Sequence, residues 1–211
     1  MTEVGAQLPN QKRDQIFRSA LREFAEKGYE SASTNSITDE AGISKGLLFH
    51  YFGSKKDLYL SVLDHCVRYY QAFYEHRASE FSSDIFDRML QASALKIEML
   101  RSSPDTYRVL TEAFVNTPGD IGFEVLEIRK KALTEGFATL CGGLDLSRLR
   151  NGIEPSRVLE LLMAVSEALI SKYIAVQQAS GKMPLDVMPA VIDEFREAIQ
   201  IIKHGAYEPD M

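Results

Sequence analysis

The chain has 211 residues, 45% of them hydrophobic, and a formal net charge of −6. That hydrophobic share is ample for one or two packed domains, while the acid excess counts against a protein that coats itself in nucleic acid through general basicity. No 18-residue apolar run, signal peptide or lipidation motif is present, so no membrane association is expected, and the protein should be soluble and cytoplasmic. Cys66 and Cys141 lie far apart in helical apolar patterns, and the four histidines show no metal spacing. Buried thiols are the plain reading of the cysteines, with no metal and no cofactor expected. No nucleophile stands beside a recognisable base, so no catalytic residue is named and an enzyme is not expected.

The charge is unevenly spread. The first 60 residues balance eight basic against eight acidic side chains, so the whole acid surplus lies beyond them. Between Ser44 and Leu58 three lysines face one aspartate. One edge of the molecule is therefore locally positive while the distal body is acidic, consistent with a polyanion touching only one end.

In chain order, residues 1–9 carry no helical signal and are expected to be flexible. Ile16, Phe17, Ala20, Leu21, Phe24 and Ala25 then form a 3.6-period stripe ending at Gly28. A short helix from about Thr34 to Ala41 places Ile37 and Ala41 one turn apart, and Gly42 supplies a left-handed exit. Ser44 can cap a second short helix, Lys45 to Phe52. At about 100° per residue, Leu48 and Phe52 of that helix point inward. Gly46, Leu47 and His50 lie opposite, flanked by Lys45, Phe49 and Tyr51. Gly46 inside a helix costs ~1 kcal/mol against alanine, which suggests close approach of another surface, either DNA or a neighbouring helix. Helix, glycine turn and helix is the pattern of a helix-turn-helix reading the major groove.

The segment AGISKGLLFHYFGSKKDL, with QIFRSALREFAEKGYESAST before it, closely resembles the amino-terminal signature of TetR-type transcriptional regulators, over about Lys12 to Val62. The resemblance implies a homodimer that binds a palindromic operator in double-stranded DNA, usually represses, and is released by a small-molecule effector. The alternative is a DNA-binding protein of the same fold acting through a protein partner without a small ligand. Position by position, Lys45, Gly46, Leu47, Phe49 and His50 fall where the family meets base edges. Thr34, Ser44, Tyr51 and Lys55 fall where it grips phosphates. The family commonly has Thr where Leu47 stands and Tyr where Phe49 stands. Both changes remove a hydroxyl and leave Lys45 as the best polar reader, for guanine O6/N7. Ser54 and Asp57 form a capping-box start for the next helix. Lys55 and Lys56 oppose that helix's dipole, which a nearby phosphate would relieve.

Past Leu58 the pattern is helical throughout, so the fold class is all-α: a three-helix DNA-binding head over residues 10–54, then a helical-bundle effector and dimerisation domain over 55–204, about nine helices in all. Helices are expected at about Lys55–Phe81, Asp84–Arg101, Pro104–Asn116 and Ile121–Leu140, with a loose tail over 205–211. Their aromatic and sulfur side chains could line an effector pocket for an apolar or flat ligand, with Tyr70, Phe73, Tyr74, Met89, Tyr107 and Phe114 as candidates and Phe123 nearby. Taken singly, each is more often plain core than pocket lining. The helix from Pro155 to about Ser180 is apolar around most of its circumference and needs cover on more than one side. With the next, about Asp186 to His204, it looks like the family's dimer-forming pair, with Leu162, Leu169, Tyr173, Val191, Phe195 and Ile199 at the interface. A central core helix in a monomer is the other reading.

Overall fold

The computed structural model describes residues 10–180 and 184–206. The expected flexible start over 1–9 lies outside the described residues, as does the expected tail beyond residue 206. Nine α-helices are present among the described residues: α1 (Asn10–Ser31), α2 (Thr34–Ala41), α3 (Lys45–Phe52), α4 (Lys55–Arg77), α5 (Ile85–Ser102), α6 (Pro104–Val115), α7 (Gly122–Cys141), α8 (Pro155–Ser180) and α9 (Pro184–Ala206). Short 3-10 turns occupy Ala78–Glu80 and Gly119–Ile121. The all-α class expected from the periodicity is the class found.

Boundaries follow local chemistry. Gly28 interrupts α1 at φ 69°, where only glycine sits without strain, and a last turn follows it to Ser31. Pro104 opens α6 at its first position, where a missing N–H costs nothing. The last helix starts earlier than its apolar stripe suggested and runs through Pro189, and it reaches Ala206 where a loose tail was expected from 205.

The chain groups into two compact units. Among the described residues, one comprises 10–72 and 103–135, the other 73–102, 136–180 and 184–206. The first holds α1 to α3, α4 as far as Ala72, α6, and α7 as far as Glu135. This grouping gathers more than the three-helix head expected to end at residue 54. Its interior contains Ile16, Ala20, Phe24, Ile37, Leu48, Phe52, Leu58, Tyr59, Leu63, Val109, Ala113 and Ile121, with α6 packed on α1. Tyr59 meets Phe24 edge-on, ring centroids 4.9 Å apart, and burial pushes its phenol pKa well up. Cys66 is buried too, and burial pushes its thiol up to about 12. Both cysteines are free.

The second unit is built on α5, α8 and α9. Ile85, Phe86, Met89, Val158, Leu159, Leu162, Phe195 and Ile199 form one continuous cluster. Arg88 is buried beside it and donates to the carbonyl oxygens of Ser82, Leu140 and Gly142. The guanidinium thereby satisfies carbonyls that the end of α7 leaves without helical partners. No described helix is long and apolar enough to cross a membrane.

Four of the six side chains expected at a subunit interface are therefore misplaced by the sequence reading. Leu162, Val191, Phe195 and Ile199 are at most 4% exposed within a single chain, because α9 lies against both α8 and α5. Leu169 and Tyr173 are half-buried, and the Tyr173 hydroxyl donates to Glu194 Oε1 at 2.5 Å. The stripe on α9 is core of the subunit. Phe195→Ala should accordingly lower the unfolding free energy by about 3–5 kcal/mol. The same loss is expected at every protein concentration in urea denaturation; a loss that varied with concentration would return Phe195 to an interface.

Candidate nucleic-acid interface

The head is assembled by caps. Ser33 precedes α2 in extended conformation and its Oγ accepts from Ser36 N–H. The Ser33 amide itself donates to Glu23 Oε1 at 2.8 Å. Glu23 is 6% exposed in α1 and also receives the Lys27 ammonium at 2.8 Å. Burial works to raise the Glu23 pKa, but Lys27 and the Ser33 N–H outweigh it and hold the carboxyl below its ordinary value. Arg22 adds a second tie between α1 and α2, 2.6 Å from Glu40.

Gly42 ends α2 at φ 63° and ψ 37°, and Ile43 N–H returns to Thr38 O at 3.0 Å. Ser44 then caps α3, its Oγ accepting from Leu47 N–H at 3.2 Å. Gly53 closes α3 at φ 73°. Ser54 opens α4, accepting from Asp57 N–H at 3.1 Å while its hydroxyl donates to the Asp57 carboxylate at 2.6 Å. Two capped short helices around a left-handed glycine thus fix α3 rigidly on α1 and α2.

Within α3, Leu48 and Phe52 are buried and Phe52 meets Phe17 edge-on at 5.9 Å. Lys45, Gly46 and His50 are exposed, while Leu47, Phe49 and Tyr51 are half-buried. Lys45 Nζ lies 5.9 Å from the Phe49 ring centre, and His50 and Tyr51 touch edge-on at 5.0 Å. Among the described residues nothing lies within 4 Å of where a Cβ on Gly46 would stand, so no neighbouring helix among them accounts for that glycine.

The residues expected at phosphates surround this face along the chain. Thr34 begins α2, half-buried, and Ser44 is exposed with its oxygen engaged as a cap. Lys55 Nζ donates to Glu30 O at 2.8 Å and stands 5.1 Å over the Tyr29 ring, tying the start of α4 to the end of α1. Lys56 differs from its sequence expectation. It pairs with Glu124 Oε1 of α7 at 2.5 Å, and Tyr29 donates to Asp120 at 3.2 Å. Acidic groups after α6 thus supply the relief of the α4 dipole that the sequence reading assigned to a phosphate. Sequence reasoning did not single out Glu23 or Asp120, because an acid on a helical pattern or in a turn carries no local signal of the partner that tertiary packing gives it.

The candidate effector side chains are divided between the two units. Tyr70, Tyr107 and Phe114 belong to the first unit, and Phe73, Tyr74 and Met89 to the second. Tyr74 is buried and donates to Ala92 O. Phe123 is 75% exposed among the described residues. A crevice does open in the second unit, among Ser93, Lys96, Ser166, Leu169, Val191, Ile192 and Phe195, and none of the six candidates borders it.

The sequence profile of bacterial regulatory proteins of the tetR family matches residues 16–62, from the α1 stripe to the start of α4. The HTH-type transcriptional regulator YerO of Bacillus subtilis is 36% identical over 95% of this chain and 68% of its own length. The chain belongs to the TetR family. It is a DNA-binding transcriptional regulator of that family, and its helix-turn-helix is the one assembled by Ser33, Gly42 and Ser44. The transcriptional activator FasR of Mycolicibacterium smegmatis is 27% identical over 89% of this chain and 81% of its own. The fold also matches a protein from Saccharomonospora viridis solved in complex with choline, at TM-score 0.69 and 19% identity, covering 95% of this chain and all of the other.

Glu23→Gln should cost about 1–3 kcal/mol, because it weakens a charge-assisted bond to a buried group. A carboxyl with a depressed folded pKa contributes stability above its unfolded value, here the ordinary 4.5, and loses it as pH falls through the folded value. The gap between parent and variant melting temperatures should therefore close on acidification below that range. A gap independent of pH would remove the charge from the explanation.

Proposed function

We propose that two copies of this chain bind a palindromic operator, that occupancy represses transcription, and that a small-molecule effector releases the complex. The observation that carries the reading is the outward face of α3. Lys45 and His50 stand exposed beside a glycine with open space around it, which is what close approach to base edges requires. In this reading Lys45, Gly46, Leu47, Phe49 and His50 meet bases, with Thr34, Ser44, Tyr51 and Lys55 at phosphates. The work is done in the cytoplasm, where the DNA is.

Dimerisation uses surface that the subunit core leaves open. Leu161 on α8 and Ile201 on α9 are 49% and 75% exposed, and Ala164 and Ala168 are exposed on α8 beside Leu161. Small side chains let helices approach closely, as a helix pair meeting its copy across a twofold needs. A twofold would set the two reading helices roughly 34–36 Å apart, one turn of DNA. Repression needs only occupancy, since a bound dimer blocks whatever must pass. The activator FasR among the relatives supports a second reading, in which the same bound dimer recruits instead.

An effector that binds the DNA-incompetent arrangement more tightly than the competent one shifts the equilibrium by that difference alone. Selection of bound sequences from random duplexes should return a palindrome, and transcription from a template carrying it should fall on adding protein. Recovery of half-sites without symmetry would overturn the dimer, and a rise in transcription would select recruitment.

Gly46→Ala separates folding from recognition. With open space at the new Cβ and a better helix former, stability should rise by up to about 1 kcal/mol, while operator affinity should fall. Equal affinity in a filter-binding titration would mean that no surface approaches Gly46. Lys55→Ala should weaken all duplexes alike and lower the slope of log affinity against log salt by about one. Lys45→Ala should relax preference at a single operator position.

A further inference from the structure

Helix α7 is apolar on two opposite sides. On one, Val125 is buried and Ile128 and Ala132 are half-buried. At about 100° per residue, Phe123, Leu126, Lys130 and Leu133 fall on the other, spaced three, four and three residues apart. Phe123 is 75% exposed, Leu126 54% and Leu133 43%. Apolar residues scattered singly over a surface need no explanation, whereas a line of them along one helix marks a contact surface. A helix with two apolar sides needs cover on both, and the described residues cover one.

The spacing selects what fits there. Steps of three and four residues are the seam of two helices packed knobs into holes. Antiparallel pairing about a twofold near residue 128 puts Phe123 of one copy on Leu133 of the other, and Leu126 on the methylenes of Lys130. Lys130 leans to the same side of the seam as Glu127, so the twofold sets each copy's ammonium beside the other's carboxylate. Lys131 and Glu135 are engaged with one another at 3.9 Å. Glu127 and Lys130 are exposed and make no ion pair among the described residues. The stripe therefore complements itself in shape and in charge, as an interface between identical surfaces must.

We propose that the Phe123–Leu133 face of α7 is a second self-contact, covered by the same face of another copy in antiparallel orientation, with Glu127 and Lys130 paired across the seam. It uses other residues than the Leu161 and Ile201 surface of the operator-binding pair, so it joins one such pair to the next. Three turns of helix bury less than the roughly 1,200 Å² of a stable interface. Association through α7 alone is therefore weak in solution and is strengthened where adjacent operators hold the copies side by side.

The test is charge exchange read by sedimentation equilibrium of the full chain, in the Ile201→Lys background so that the α8–α9 surface does not contribute. Glu127→Lys makes the charged flank of the seam wholly cationic and Lys130→Glu makes it wholly anionic. Each alone turns two attractive pairs into repulsive ones and should weaken association about tenfold or more. An equimolar mixture of the two variants should restore it, as should both changes on one chain. Phe123→Ser with Leu133→Ser should abolish it, and because both positions are exposed the fold is not at stake. Association indifferent to either reversal, a mixture no tighter than its components, or a monomer at every concentration up to about 1 mM would overturn the seam. A monomer that instead loses binding to anionic vesicles on Phe123→Ser would give the face to a lipid surface and overturn it equally. Ile201→Lys against the unmodified chain reads the other contact: no change there, with charge exchange behaving as expected, would fault the α8–α9 surface alone.

Discussion

Glu23 lies in the interior of the head with the Lys27 ammonium and the Ser33 amide on its oxygens, and the placement of the reading helix descends from that arrangement. Ser33 is the cap of α2, so a carboxylate on α1 decides where α2 begins. From there the chain has little freedom: α2 ends on a left-handed glycine, Ser44 caps α3, and Leu48 and Phe52 anchor α3 from below. A buried charge is tolerable in a protein only when bonded, and here the bonding partners are themselves the structural joint. The order of events along the chain becomes an orientation in space.

The exposed side of α3 is correspondingly spare. It offers one lysine, one histidine and a glycine, with apolar Leu47 and Phe49 partly withdrawn. Specificity from such a face rests on few polar contacts and on shape, since two positions that commonly carry hydroxyls in the family carry none here. Rigid caps suit that economy, because a short list of contacts discriminates only if each is held in place.

Much of the head was legible in the sequence because its signals are local. Ile16 to Phe24 mark one face by spacing alone, and Gly42, Ser44 and Ser54 announce turns and caps through their own chemistry. The second half reads differently. Val191, Phe195 and Ile199 show the same 3.6 spacing whether they face a partner subunit or α5 of the same chain, so periodicity reveals that they are buried and not against what. Phe123 illustrates the converse, an aromatic in a helical pattern that the fold leaves exposed. Glu23 was invisible for a related reason: an acid on an amphipathic helix reads as solvated, and only tertiary packing turns it inward.

The pairing of Lys56 with Glu124 has a consequence for the search along a chromosome. A lysine already neutralised by its own protein frees no condensed ion when the head meets a duplex, so the electrostatic grip on arbitrary sequence is weaker than a tally of basic residues implies. A regulator with a light grip spends less of its time parked at random positions, and a larger fraction of its copies stays available to the few places where the bases fit.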